Sequence, residues 1–136
     1  MSDDHAAALA ANQAFYDAFA AGDIRQMEAA WAKDAPVACA HPGAPLLVGR
    51  AVVLESWASI LRGGGKPDVV CLNPQVHLLG GAAYVTCYER LGGVSGTTLL
   101  ATNVLAKEAG AWRMVHHHAS PTPMTPQRAP SEKILH

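Results

Sequence analysis

The 136 residues carry a formal net charge of −1 and half of them are hydrophobic, so the chain is long enough to bury one core without staples. Lys and Arg are scattered, which leaves no basic footprint for nucleic acid and no basic amphipathic helix for a membrane surface; neither partner is expected. No apolar run approaches the roughly 20 residues that span a bilayer, and the acidic, alanine-rich start lacks the pattern of a signal peptide, so a cytoplasmic protein is expected.

From Asp3 to Ala21 the apolar residues Leu9, Phe15, Tyr16 and Phe19 recur at helical spacing among alanines, the strongest helix formers, and predict a long first helix. Gly22 is placed to end it. Asp23 and Gln26 have the spacing of a capping box, which starts a second helix running from about Ile24 to Ala32 with Met27 and Trp31 inward. Between Asp34 and His41 the chain reads as a short strand that Pro42-Gly43 breaks, leaving His41 at its end. Gly49 to Leu61 predicts a third helix with Val53, Leu54, Trp57, Ile60 and Leu61 on one face. Gly63-Gly64-Gly65 stops it and reads, with Lys66, as a flexible connection that lacks the spacing of a phosphate loop.

The second half of the chain reads as β structure. Val69 to Leu72, Val76 to Leu79, Ala82 to Arg90, Thr97 to Lys107 and Trp112 to Ala119 are strand-like runs separated by Gly80-Gly81, Gly92-Gly93 and Ala109-Gly110, connections short enough for antiparallel hairpins. Helices first and a meandering sheet afterwards predict an α+β domain over residues 1–120. Four prolines in ten residues, Pro121, Pro123, Pro126 and Pro130, predict an extended tail over 121–136. Cys39, Cys71 and Cys87 are odd in number, widely spaced and all in strand-like runs, so they read as small buried hydrophobes rather than a disulfide or zinc framework.

The last run carries three consecutive histidines. Unbroken strand alternation puts Trp112, Met114, His116, His118 and Ser120 on one face and Arg113, Val115, His117 and Ala119 on the other. With the first set inward, His116 and His118 have Cβ atoms roughly 7 Å apart and can converge on one ligand, water or ion, while His117 lies on the outer surface. An HxH strand motif also occurs in cupins, but here it falls on the last strand and three helices precede the sheet. No GxSxG or HExxH motif is present.

Taken in order over residues 5–120, the Phe15-Tyr16 pair, Gly22-Asp23, Trp31, the segment Cys39 to Gly43, Gly49-Arg50, Trp57, Glu89, Thr102-Asn103 and Trp112 to Ser120 resemble the nuclear-transport-factor-2-like superfamily. Within it the similarity is to the SnoaL-like, ketosteroid-isomerase-like branch. The resemblance implies a cone-shaped, strongly curved antiparallel sheet wrapped around three helices, with a pocket at the open end. It also implies a homodimer made through the outer face of the sheet. Function in the superfamily ranges from isomerases, cyclases and dehydratases to binding modules, so the site must decide it.

The resemblance brings His41 near the pocket mouth, where with His116 and His118 it could complete a three-histidine metal site, with Glu89 as a fourth ligand or as the group that orients one of the rings. Glu89 is the one carboxylate inside a β-run, sharing a face with Val85 and Cys87; it is either paired with Arg50, Arg113 or a histidine, or acts as general acid or base. True steroid isomerisation in the resembled enzymes uses an aspartate base in an apolar setting, and no aspartate here has that setting. A histidine, His118 first, then serves as the base, since its ordinary pKa of about 6.5 suits proton transfer at neutral pH. Tyr16, Tyr88 and Asn103 are candidate oxyanion donors. Asn103, an amide in an apolar strand, either pins a neighbouring element or touches the ligand. Trp31 and Trp57 are core residues or an aromatic wall, and Tyr84, Thr86 and Tyr88 or else Val85, Cys87 and Glu89 face the interior. The expected protein is thus a cofactor-independent isomerase, dehydratase or cyclase for a small apolar molecule, with catalytic His118, His116, His41, Asn103 and Glu89 and a pocket lined by Tyr16, Trp31, Trp57 and Tyr88. A non-catalytic binding module and the three-histidine metal site are the alternatives.

Overall fold

Ala-rich sequence with one apolar stripe makes α1 (Ser2–Ala21), the longest helix of the computed structural model, which describes residues 2–63, 67–92 and 96–123. Gly22, at φ +66°, turns the chain out of α1 in the left-handed conformation that a side chain would disfavour. Asp23 then caps α2 (Ile24–Ala30), accepting the backbone N–H groups of Arg25 and Gln26 while the Gln26 side chain donates back to it. The chain continues through β1 (Ala38–Ala40), a two-residue β2 (Leu47–Val48) that the sequence pattern does not predict, and α3 (Arg50–Leu61). Four long strands complete it: β3 (Val69–Leu79), β4 (Ala82–Leu91), β5 (Thr97–Glu108) and β6 (Ala111–Pro121).

The strands form one curved, unclosed sheet in the order β2-β1-β6-β5-β4-β3, covered on its inner face by the helices. β3 to β6 are the expected antiparallel meander, but β1 lies parallel to β6, so the sheet is mixed. The two runs expected as separate strands, Val69 to Leu72 and Val76 to Leu79, are one strand interrupted by a bulge at Asn73-Pro74, where proline cannot donate to the ladder and Asn73 takes a φ of +53°. Inside the curve, Phe15, Met27, Trp31, Val53, Trp57, Val85, Leu105 and Met114 are buried in one apolar cluster. Among the described residues no helix is long and apolar enough to cross a membrane. The expected Gly64-Gly65-Lys66 connection, Gly93 of the next turn and positions 124–136 of the proline-rich tail lie outside the described residues.

β6 decides which face each histidine takes. Leu105 pairs with Met114 but Val104 pairs with His116, so Val115 is an extra residue, a β-bulge. It shifts the alternation by one. Trp112 and Met114 point inward as expected; beyond the bulge His117 and Ala119 point inward, and His116 and His118 outward. The expected assignment of the three histidines is therefore reversed.

Candidate functional site

His117 is 2% exposed and sits opposite Asn103 of β5 and beside Cys39 of β1 in the sheet register, with Phe15 and Trp57 packed on its ring at centroid distances of 4.9 and 5.9 Å. Asn103, fully buried, donates through Nδ2 to Asn12 Oδ1 at 2.8 Å and to Tyr16 Oη at 3.1 Å, both on α1. Its Oδ1 must then be the atom facing His117 Nδ1 at 2.6 Å, so His117 carries its hydrogen on Nδ1 and leaves Nε2 as a bare acceptor. That Nε2 lies 3.8 Å from Glu89 Oε2. Tyr16, having accepted from Asn103, donates its hydroxyl to the same Glu89 oxygen at 2.5 Å. Tyr16 Oη also touches Cys87 Sγ at 3.3 Å, and Asn12 Nδ2 approaches Cys71 Sγ at 3.7 Å.

The result is a buried polar network that links Asn12, Tyr16, Glu89, Asn103 and His117 through hydrogen bonds. Among the described residues no Lys or Arg forms an ion pair with it. Arg50 is spent on the carbonyls of Trp31, Ala32 and Glu28, and Arg113 on that of Ala29, so neither expected arginine partner reaches Glu89. Burial pushes the Glu89 carboxyl above its ordinary value, opposed by the Tyr16 hydroxyl. Burial, with smaller repulsion from His41, His116 and His118, pushes His117 down to about 3. Burial also raises Tyr16 far above the ordinary phenol, with Glu89 next in effect. A carboxylic acid made reluctant to ionise and an imidazole made reluctant to protonate thus face each other in a dry interior, the arrangement that separates acid from base roles.

His41 stands just beyond β1, half-buried, its ring edge-on to Trp57 at 4.9 Å. Ser56 gives its hydrogen to the Val53 carbonyl, so it accepts from His41 Nε2 at 2.9 Å and leaves His41 Nδ1 bare. Desolvation lowers the His41 pKa. The Trp57 indole N–H lies near the Cys39 sulfur, whose thiol burial pushes up to about 12. It makes no hydrogen bond of regular geometry among the described residues, and neither does the Trp31 indole.

Of the residues singled out in the sequence, Tyr16 bonds both Glu89 and Asn103, Trp57 packs on Phe15 and His117 beside them, and His41 adjoins through Trp57. Trp31 packs on the far side of Phe15. His116 and His118 are on the outer face, which the Val115 bulge explains, and they share no site with His41; the three-histidine metal site is thereby removed. Among the described residues no group of three or more His, Cys, Asp or Glu side chains converges on one point. Tyr88 also belongs to the outer face, with Tyr84 and Thr86, because Ala83, Val85, Cys87 and Glu89 are the buried set of β4. Sequence reasoning misses His117 and Asn12. Asn12 carries a visible signal, a polar residue four before Tyr16 on the apolar stripe of α1, whereas His117 is hidden by the bulge.

A SnoaL-like domain is matched over residues 8–125 of the chain. A crystal structure from Streptomyces avermitilis, provisionally named a dehydratase of the nuclear-transport-factor-2-like family, superposes with a TM-score of 0.83 at 33% identity, over 90% of this chain and 99% of that one. A structure from Thiobacillus denitrificans, provisionally named a calcium/calmodulin-dependent protein kinase type II association domain, gives 0.74 at 38% identity over 83% and 93%. A ketosteroid isomerase-like protein from Erwinia carotovora atroseptica shares the fold, with a TM-score of 0.67 at 22% identity over 89% and 96%. Among curated proteins, the F-box protein SKIP8 of Arabidopsis thaliana is 29% identical over 114 residues, 84% of this chain; the chain spans about half the length of that relative.

Proposed function

Because the chain belongs to the SnoaL-like family, we propose that it is a cofactor-independent enzyme of the isomerase or dehydratase class that moves protons on a small, largely apolar organic molecule, with Glu89 and His117 as its acid and base. The observation that carries this reading is the buried Glu89–His117 pair, 3.8 Å apart, to which no Lys or Arg among the described residues is ion-paired. His117 Nε2, held bare by the Asn103 hydrogen bond, receives a proton from a carbon acid. Glu89, held toward its neutral form, returns a proton to a departing hydroxyl in an elimination, or to the far carbon in a double-bond shift. Transfer of the proton from His117 to Glu89 then restores both groups. The histidine expected from sequence in this role is His118; the role proposed here falls to its buried neighbour. The dehydratase name of the Streptomyces avermitilis relative supports the class.

The test is solvent-deuterium exchange at the carbon beside the carbonyl of 2-cyclohexen-1-one, followed by NMR for the wild type, Glu89→Gln and His117→Gln. The expected result is exchange above the buffer rate by the wild type and a loss of about 100-fold or more in each variant. Equal exchange in all three overturns the assignment. Saturable binding without exchange makes the chain a binding module instead.

Two further proposals come with the family. One is a homodimer joined through the outer face over β3 to β5, where Val70, Leu79 and Leu100 are exposed, to be measured by sedimentation equilibrium. The other is a cytoplasmic location, to be read from a fluorescent fusion.

A further inference from the structure

The Val115 bulge gives the outer face something that regular alternation would have withheld. His116 and His118 project from β6, which is hydrogen-bonded on both sides, to β1 and to β5, so the backbone beneath them is fixed. Their cross-strand neighbours are small or short: Ala38 and Ala40 on one side, Val104 and Thr102 on the other. Nothing in those register positions is charged. The two rings stand edge to face with centroids 6.4 Å apart. Two imidazoles that share one ion, each at 2.0–2.1 Å from nitrogen to metal, have centroids about 4.5–5.2 Å apart at square-planar or tetrahedral angles, so the exposed His118 ring swings about 1–2 Å toward His116 to complete the geometry. His116 is half-buried beside Ala38 of β1, so its ring is more restrained than that of the exposed His118. The exposed Thr102 hydroxyl lies beside His118 in the register and can bond a water or anion on the ion.

We propose that His116 and His118 form a two-histidine chelate for a borderline divalent transition-metal ion, with water or an exogenous anion filling its remaining positions. Imidazole donors without carboxylates select Cu2+, Ni2+ and Zn2+ over Mg2+ and Ca2+, with Cu2+ held most tightly. The site is separate from the Glu89–His117 network, which lies behind the opposite face of the sheet.

The experiment is titration of the untagged full chain with CuCl2 and, separately, ZnCl2 by calorimetry, with electron paramagnetic resonance of the copper form. The expected result is one ion per chain, nitrogen hyperfine structure from two imidazoles, and an affinity for each metal that falls about tenfold or more in His118→Ala. His77→Ala, which removes a histidine stacked on Tyr84 three strands away, leaves binding unchanged. Binding that survives in the His116→Ala/His118→Ala double variant, or absence of binding by the wild type at ~100 µM metal, a level at which even a weak chelate fills, overturns the proposal. All three variants alter side chains on the outer face of the sheet, and circular dichroism verifies that they are folded.

Discussion

Acid should unfold this protein through one residue more than any other. The unfolded chain binds a proton at His117 below about 6.5, while in the folded chain burial holds the ring neutral down to about 3. Folding stability attributable to His117 is therefore complete above pH 6.5 and is lost as pH falls, with the unfolded state binding the extra proton. Between pH 6.5 and 5 the folded ring stays neutral, and each pH unit costs about 1.4 kcal/mol, or about 2 kcal/mol at pH 5. His117→Gln removes the titration but keeps a side-chain N–H for Asn103 Oδ1. Urea denaturation of both proteins at pH 7.5 and pH 5.0 measures the effect. His41 and His116 also resist protonation, but they are present in both proteins and cancel in the difference. The wild type should lose about 2 kcal/mol more than the variant. Equal losses would refute the claim that His117 is buried neutral.

Glu89 has the opposite sign: its raised folded pKa leaves stability intact below its ordinary value of 4.5 and erodes it as pH rises through the folded value. Glu89→Gln should thus gain on the wild type as pH rises above 4.5, measured by the same urea method. Asn103→Leu leaves His117, Tyr16 and Asn12 without their common partner and should cost about 2–4 kcal/mol in denaturation at neutral pH. Glu108, on the exposed end of β5, accepts the backbone N–H groups of Lys33, Asp34 and Ala35, and those contacts hold its carboxyl below the ordinary range. Glu108→Ala should accelerate amide hydrogen exchange at those three residues and leave exchange in the sheet unchanged.

Sequence alone is most informative where one local rule dominates. Alanines and the Gly22-Asp23 break specify two helices, and glycine-rich turns separate the hairpins. Glu89 stands out as the one carboxylate in a β-run, on a face shared with Val85 and Cys87 that the pattern leaves either inside or outside, and Asn103 stands out because an amide in an apolar strand needs partners. The reversed faces of the three histidines come from a single inserted residue. Val115 is an ordinary strand former, and only the pairing of β6 with β5 shows that it opposes nothing; without that pairing the histidines take the wrong faces. Likewise the parallel seam of β1 with β6 depends on a contact between distant segments, which no local pattern reports. The three carbonyl-bound donors of Arg50 are equally invisible, since they satisfy backbone groups and not a charge.

That seam also bears on how the molecule is built in time. β3 to β6 join through short turns, whereas Cys39 pairs with His117, 78 positions further along the chain. Closing so long a span costs more chain entropy than any hairpin, so the three-residue docking of β1 is the slow, topologically expensive contact. Cys39 comes against His117 only when β1 docks. Variants that weaken β1 should consequently lower the folding rate before they alter the finished chemistry.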